Sequence, residues 1–378
     1  AVIYGGTTGT LGATGTMKIT KTGGNSTTDA LLGQYSSFAT IDHSNNTVEY
    51  AATANQVIKP RTFKNLIINN PISVQIVNGD IHITNVMTFT QGLVMGVGNE
   101  VWIDSSAPTA VVQGTGWTRL IMHRSIATGT NTYLYPLRNG TASVPVNMTF
   151  NNVTVAGIVK MQDATISSNG VQGGSGIDNS HDFPNVWTFT VSSGTIPSYD
   201  AVFNFGTTYD AGSDPTRFVL RTKDQDEGPW SNVPATNTAT SISATGLTAQ
   251  AAYYATGNQE IDHYIVSASS PQYAGDTFNT TVTAQDVLNL TATIDGRVVT
   301  MTSSNGNAQF DSDGNGTFGD NTKSTTNGTF TIATKDNVTE SMTITATDTS
   351  AKTGTSSSIT LTEKVFTGPG AFSVASKW

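Results

Sequence analysis

The chain has 378 residues, of which only 12% are charged, and its formal net charge is −9. This acidic balance argues against a nucleic-acid partner, because binding to a phosphate backbone needs clustered lysine and arginine. The chain has no cysteine, which excludes disulfides, thiolate zinc sites and cysteine nucleophiles. No apolar run reaches the roughly 18 residues that a membrane-spanning helix needs, so membrane insertion is not expected.

Residues 1–115 contain short β segments separated by Gly, Asn and Asp. Most segments alternate apolar and polar residues, carry Asn at their ends and leave no room for intervening helices. Stacked short parallel strands with tight polar turns produce such a pattern, so we predict a β-solenoid, with an antiparallel sandwich as the alternative. The clearest segments are Thr47–Tyr50, Phe63–Asn69, Val74–Val77, Asp80–Asn85, Met87–Thr90 and Glu100–Asp104.

Longer strands with more aromatic residues follow in residues 116–258, as in Val186–Val191 and Arg217–Arg221. This pattern predicts an antiparallel β-sandwich with one face of each sheet buried. Residues 259–365 again alternate at a regular spacing with polar turns, which predicts an immunoglobulin-like sandwich. Residues 366–378 are interpreted as a terminal tail or as the start of a further repeat.

Several segments of the first region resemble the β-helix repeats of large secreted cell-surface proteins of the Bacteroidetes type. The resemblance lies in Asn46–Tyr50, Gln56–Ile58, Phe63–Ile68 and Ile81–Leu93. The chain departs from that pattern because it lacks the glycines usual between the second and third of these segments.

The later regions resemble further parts of the same class of surface protein. Trp187–Phe189 and Tyr199–Phe205 resemble the sandwich that follows the solenoid, and Ala274–Ala284 and Ser341–Asp348 resemble bacterial Ig-like domains of adhesins. The resemblance implies an all-β architecture of solenoid, sandwich and Ig-like domain, in a secreted protein of the bacterial cell surface.

One acidic loop has the pattern of a calcium site. Carboxylate and amide oxygens at alternate positions, with glycine at the sixth, match the first half of a calcium loop, since Ca²⁺ takes about six to eight oxygen ligands. Position twelve is Thr322 where a bidentate Glu is expected, so a plain Asp/Gly turn is the alternative reading. The expected ligands are Asp311, Asp313, Asn315, Thr317 and Asp320, and no other cofactor is required.

The pattern of ionisable residues argues against an enzyme. The five histidines, His43, His82, His123, His181 and His263, show no metal-ligand spacing and no catalytic triad context. A polysaccharide-degrading β-helix enzyme would need carboxylates brought together from adjacent rungs. The predicted solenoid offers few, and none are grouped in the sequence: Asp42, Glu49, Asp80, Glu100 and Asp104.

Aromatic residues raise the alternative of a carbohydrate-binding adhesin. Trp187 lies in an alternating strand and is expected in the core, whereas Trp230 follows Gly228 and Pro229 in a turn. We therefore select Trp230 as the residue to test for contact with a glycan.

The leading hypothesis is a non-enzymatic extracellular protein that forms or decorates a surface layer or filament. Its expected partners are copies of itself or neighbouring surface proteins, because unpaired strand edges can pair with another chain. Strand exchange between subunits would use the first or the last segment of the chain. The residues concerned are Ala1, Val2, Ile3, Tyr4, Phe372 and Val374.

Overall fold

The computed structural model describes residues 10–11, 15–22, 29–34, 40–41, 45–139, 142–165, 173–224 and 228–364. The predicted all-β class is confirmed, with 59% of the chain in strands, 3% in helix and a solenoid of about four turns followed by antiparallel sheets. The chain divides into two compact units, residues 1–258 and residues 259–378. Among the described residues, no helix is long and apolar enough to cross a membrane.

The first unit begins with the solenoid. Its elements are β1 (Thr10–Leu11), β2 (Thr16–Ile19), α1 (Ala30–Gln34), β3 (Thr40–Ile41), β4 (Thr47–Tyr50), β5 (Gln56–Ile58), β6 (Arg61–Ile76), β7 (Ile81–Met95), β8 (Glu100–Ile103), a 3₁₀ turn (Pro108–Ala110) and β9 (Val111–Thr118). The strands of successive turns pair in parallel, as in β4 with β6, β6 with β7 and β7 with β9. Of the two folds considered from the sequence, solenoid and antiparallel sandwich, the structure therefore adopts the solenoid.

Apolar residues at equivalent positions of successive turns fill the interior of the solenoid. Val48 pairs with Leu66, and Leu66 pairs with Met87 on the next turn, and all three side chains are fully buried. Strands β6 and β7 each continue through a corner, where the register shifts locally. Each of them therefore joins short segments that the sequence analysis treats as separate strands. Each long strand thereby covers more than one face of the solenoid.

Side-chain amides stack along the corners of the solenoid. Asn69 donates to a carboxylate oxygen of Glu49 at 2.7 Å, and Gln91 on the next turn donates to the amide oxygen of Asn69 at 2.8 Å. In the same way Asn85 donates to Asn65 at 2.8 Å. These contacts explain why Asn recurs at the ends of the segments: the amides of Asn65 and Asn69 each donate to one turn and accept from the next.

One corner depends on a glycine. Gly92 in β7 has a φ of +85°, and a Cβ atom at this position would lie 1.6 Å from the carbonyl oxygen of Asn70 on the preceding turn. Only a residue without a side chain allows two turns to approach this closely at a positive φ.

The remainder of the first unit is antiparallel. Its elements are β10 (Ile121–Ile126), β11 (Gly129–Tyr135), β12 (Arg138–Asn139), β13 (Ala142–Ser143), β14 (Val146–Val153), β15 (Val155–Thr165), β16 (Ile177–Asp182), β17 (Asn185–Thr195), β18 (Ser198–Asn204), a 3₁₀ turn (Pro215–Arg217), β19 (Val219–Asp224), β20 (Ser231–Val233), β21 (Thr236–Asn237), β22 (Ser241–Leu247) and β23 (Ala251–Gln259). Two sheets pack face to face, and aromatic residues from both fill the space between them, as in Phe150 against Phe189 and Phe203 against Tyr254.

Strand β10 joins the solenoid to the antiparallel region. It pairs in parallel with β8 on one side and antiparallel with β15 on the other, within one 14-stranded sheet. The predicted boundary at residue 115 falls inside β9, and one hydrophobic core extends from Met17 to Tyr254. The subdivision of residues 1–258 into two modules stays a prediction.

Buried polar contacts reinforce the joint at β10. The fully buried Arg124 donates to the carbonyl oxygens of Leu134 at 2.9 Å and Ala107 at 3.2 Å. Its guanidinium lies 4.9 Å from the ring centroid of Tyr133, whose hydroxyl donates to the carbonyl oxygen of Ser106 at 3.0 Å. These contacts connect the loop between β8 and β9 to strand β11.

The second unit contains β24 (His263–Ser267), β25 (Gln272–Tyr273), β26 (Thr277–Gln285), β27 (Val298–Ser303), β28 (Gln309–Asp311), β29 (Thr322–Ser324), β30 (Thr329–Lys335), β31 (Ser341–Met342), β32 (Ile344–Asp348), β33 (Thr353–Thr355) and β34 (Ile359–Thr362). Its sheets have the orders β24-β26-β30-β28, β29-β27-β32-β33 and β25-β34-β31. All pairs are antiparallel except β25 with β34. The Ig-like character of this unit stays a prediction.

Candidate functional site

The acidic loop selected from the sequence connects β28 to β29. One carboxylate oxygen from each of Asp311, Asp313 and Asp320 lies within 4.8 Å of the other two. Asp311 is buried, Asp320 is partly exposed and Asp313 is exposed, so the group opens to solvent on one side. We call these three residues the acidic loop site.

Backbone amides hold Asp311 in place. The N–H groups of Gly314 and Gly316 donate to its two carboxylate oxygens at 2.7 and 2.8 Å. Both glycines have positive φ angles, 76° and 82°, which allow the chain to turn back over the carboxylate. This local folding explains why the Asp–Gly spacing forms a compact loop.

Asp320 closes the loop from its far end. The backbone N–H of Ser312 donates to its carboxylate at 2.9 Å, and the Ser312 hydroxyl donates to the same oxygen. The hydrogen bond from the hydroxyl holds the pKa of Asp320 below its usual value, so this group stays ionised near neutral pH.

The other two expected ligands, Asn315 and Thr317, form hydrogen bonds within the turn. The side-chain oxygen of Asn315 accepts the N–H of Thr317 at 2.6 Å, and the Asn315 amide donates to Asp313 at 2.8 Å. The three convergent carboxylates form an all-oxygen, negatively charged set, which suits a hard cation such as Ca²⁺. The same hydrogen bonds also close an Asp/Gly turn without an ion, and both sequence readings stay open.

Ionisable residues also gather on the outer face of the solenoid, although they are not grouped in the sequence. His82 on β7 pairs with Trp102 on β8, and Trp102 pairs with His123 on β10. Their rings stack, with centroids 5.5 Å apart for His82 and Trp102 and 3.7 Å apart for Trp102 and His123. We call His82, Trp102 and His123 the ring ladder.

A carboxylate accompanies each imidazole of the ring ladder. The Nδ1 atom of His82 lies 3.1 Å from both oxygens of Asp104, and the Nε2 atom of His123 lies 2.7 Å from Glu100. The side chain of His82 is 41% exposed, whereas that of His123 is only 6% exposed. Burial lowers the pKa of His123 although Glu100 opposes this effect.

The sequence contains a signal for the ring ladder, but the signal is visible only when the register of the successive strands is known. The three residues occupy the same outward position on successive strands, about 20 residues apart along the chain. Aligning the turns by their buried residues would have shown the stack. Two other histidines also lie beside carboxylates: His181 is 2.8 Å from Asp178, and His263 is 3.0 Å from Asp262.

The predicted glycan contact at Trp230 is not supported. Its side chain is 4% exposed and packs with Ile177, Val186 and Ala255, so its ring offers no open face for stacking on a sugar. The sequence suggested a turn at this place, but the ring of Trp230 packs into a small apolar cluster. Trp187 lies in the core, fully buried, as its alternating strand predicts.

The six residues predicted for self-association lie outside the described residues, as do Asp42 and His43. They are Ala1, Val2, Ile3, Tyr4, Phe372 and Val374. In the described part of the chain several strands at the margins of sheets are short, with three residues each in β20, β28 and β29. Short margins disfavour lateral pairing between sheets of different molecules.

The structure defines a broad class, an all-β chain in which a solenoid precedes antiparallel sheets, and the comparisons with known proteins add no family to it. No protein-family model matches the chain, and no characterised protein matches its sequence. The adhesin InvE of Yersinia pseudotuberculosis is similar in structure at a TM-score of 0.23 and 16% identity, over 50% of this chain and 55% of InvE. The chain thus matches only about half the length of InvE.

Two further solved structures show similarity at the same low level. Domains 4 and 5 of the S-layer protein SbsC match with a TM-score of 0.21 and 14% identity, over 46% of this chain and 88% of SbsC domains. A glycosyl hydrolase family 2 member from Bacteroides cellulosilyticus matches with a TM-score of 0.23 and 10% identity, over 61% of this chain and 29% of its own. Similarity at this level assigns neither a family nor an activity.

Proposed function

We propose that the chain is a non-enzymatic structural protein of a bacterial cell surface that forms or decorates a surface layer or filament. One observation carries the proposal: the sheet of the solenoid continues through β10 into the antiparallel sheets. Backbone hydrogen bonds join the two regions, and the contacts of Arg124 and Tyr133 reinforce the joint. A protein with a mechanical role needs such a joint, because a flexible linker would not hold neighbouring regions in a fixed geometry.

The surface composition supports the same role. With only 12% charged residues in the chain, contacts with neighbours would rely on shape and on hydrogen bonds of hydroxyl and amide groups. The carbohydrate-binding alternative is less favoured, because Trp230, the residue selected for it, is buried.

Assembly would proceed by exchange of a terminal strand between copies of the chain. The donated segment would come from residues 1–4 or from residues 372–374. Donated strands gain affinity from main-chain hydrogen bonds and specificity from alternate side chains.

Negative-stain electron microscopy of the purified chain tests the assembly. We expect polymers from the wild type, and their loss on deletion of residues 1–6 or of residues 372–378. Unchanged polymers from both deletions would exclude strand exchange by these segments. A wild type that stays monomeric at high concentration would exclude the filament itself.

Two further measurements test location and the absence of catalysis. Antibody labelling of intact cells should detect the chain at the surface, and labelling only after lysis would contradict a surface role. Incubation with acidic polysaccharides should leave them unchanged. New reducing ends or unsaturated products would instead support a polysaccharide-degrading enzyme.

Calcium is proposed as the ion of the acidic loop site in the second unit. The three carboxylates would contribute oxygen ligands, and the bound ion would join the end of β28 to the start of β29. Its expected role is to stabilise the unit, as binding to the folded state alone does.

A further inference from the structure

A buried histidine lies at the joint between the solenoid and the antiparallel sheets. The side chain of His123 on β10 is 6% exposed, and its ring lies 3.7 Å from the ring of Trp102 at an interplanar angle of 8°. Its Nε2 atom is 2.7 Å from Glu100, which is a carboxylate acceptor. Within the described part of the chain, its buried Nδ1 atom has no hydrogen-bond partner.

The surroundings of His123 suit the neutral imidazole. With a proton on Nε2 alone, the ring donates to Glu100 and leaves only a lone pair on Nδ1. A second proton would place an N–H group on Nδ1, where no acceptor is available among the described residues. A buried donor without an acceptor is costly, because it gives up its hydrogen bond to water.

The charges around His123 act in both directions. Glu100 on β8 and Asp80, just before β7, favour the protonated ring, whereas Lys160 on β15 disfavours it. Burial is the largest of these influences, so the pKa of His123 lies below its ordinary value of 6.5.

The position of His123 links its protonation to the joint. It pairs with Trp102 of β8 on the solenoid side and with Lys160 of β15 on the antiparallel side. We propose that His123 makes this joint acid-sensitive: protonation of the buried ring loosens the pairing of β10 with β8 and β15. The proposal concerns the described joint alone and holds whether or not the chain assembles at a surface.

The direction of the effect follows from proton binding. The unfolded chain binds the proton at the ordinary pKa of 6.5, and the folded chain binds it only at lower pH. Stability is therefore fully present above about pH 6.5 and decreases as the pH falls towards the folded-state pKa. Within that window the opening equilibrium constant rises by up to about tenfold per pH unit.

His82 provides the matched control. It belongs to the same ring ladder and also has a carboxylate partner, Asp104, but its side chain is 41% exposed. Water therefore reaches its ring, and replacing His82 should leave the acid response of the joint unchanged.

Hydrogen exchange measured by mass spectrometry at about pH 7 and about pH 5, corrected for intrinsic exchange rates, tests the proposal. In the wild type, peptides covering β8 and β10 should lose protection at the lower pH, by up to about tenfold for each pH unit below about 6.5. Peptides covering β26 in the second unit should lose much less. His82→Gln should behave as the wild type does, whereas in His123→Gln the acid-induced loss should disappear.

Equal protection of β8 and β10 at both pH values in the wild type would overturn the proposal, as would an undiminished loss in His123→Gln. Should His123→Gln fail to fold, NMR titration of the five wild-type imidazoles decides. At least one ring should titrate clearly below its ordinary pKa. If all five titrate at or above that value, the proposal is wrong.

Discussion

The ring ladder and the acidic loop site both bring ionisable side chains together, but by different means. The ring ladder takes its residues from three strands of the first unit, and each position depends on the register of successive turns. The acidic loop site takes its carboxylates from ten consecutive residues, 311–320, held by hydrogen bonds within the same loop. Disrupting the register should therefore destroy the first group, and only a local change should destroy the second.

The largest expected effect is that of a substitution at Gly92, which should disturb the solenoid and its ring ladder but not the acidic loop site. Gly92→Ala would place a Cβ atom 1.6 Å from the Asn70 carbonyl oxygen, so β7, which carries His82, must shift. We expect a loss of about 3 kcal/mol or more in the free energy of unfolding of the first unit. Urea unfolding followed by tryptophan fluorescence measures the loss, since four of the five tryptophans precede residue 258.

Gly98→Ala is the matched control for this prediction. Gly98 also has a positive φ, 67°, but nothing lies within 4 Å of its Cβ position. We expect a loss of only about 1 kcal/mol. Equal losses in the two variants would show that the close approach of the turns does not limit stability.

Calcium tests the acidic loop site in the second unit. At a free Ca²⁺ concentration about 100-fold above Kd, the unit should gain about 2.7 kcal/mol, and a chelator should reverse the gain. Asp313→Asn should abolish most of the effect, because it removes one of the three carboxylates. The loop itself should persist, because the amides of Gly314 and Gly316 are held by Asp311. Differential scanning calorimetry provides the measurement.

Asp276→Asn is the control for calcium, because this partly exposed carboxylate in the same unit pairs with Lys364 and lies outside the acidic loop site. Its unfolding should respond to Ca²⁺ as the wild type does. A midpoint that is independent of Ca²⁺ and chelator in the wild type would leave the plain Asp/Gly turn as the correct reading.

Substitution of Tyr133 tests whether its hydroxyl contacts stabilise the joint at β10 in the first unit. Its hydroxyl accepts the N–H of Ala127 at 2.8 Å and donates to the Ser106 carbonyl at 3.0 Å. Tyr133→Phe should lower the free energy of unfolding of the first unit by about 1–2 kcal/mol, because buried partners lose their hydrogen bonds. Tyr135→Phe should cost less, since the Tyr135 hydroxyl lies 3.5 Å from its acceptor, Val159. The same urea titrations compare the two, and a larger loss at Tyr135 would contradict the assigned contacts.

The smallest effect concerns Asp320. Removal of the Ser312 hydroxyl in Ser312→Ala should raise the pKa of Asp320 towards its ordinary value of 3.8, as measured by NMR. Because the folded-state pKa is lowered, the contribution to stability is present above about pH 3.8 and is lost as the pH falls through the folded value. An unchanged pKa in the variant would contradict the assigned cause.

The sequence predicted the class of the fold and the position of the acidic loop site. Alternating segments with Asn at their ends indicated the solenoid, because the amides that stack between turns must recur at corners, as Asn65 and Asn85 do. The continuation of the sheet through β10 was not predicted, since nothing in Ile121–Ile126 distinguishes a strand with one parallel and one antiparallel neighbour. The burial of Trp230 was not predicted, because burial depends on what packs over the segment, and its contact with a glycan stays a prediction.

The sequence by itself determined the all-β class, the low charge of the surface and the turn of residues 311–320. Each of these depends on composition or on neighbours within about ten residues of the chain, where hydrogen bonds form locally. Only the tertiary structure decided the ring ladder, the burial of His123 and the joint at β10. In these cases the register of stacked turns sets which residues meet, and that register is a property of the whole solenoid.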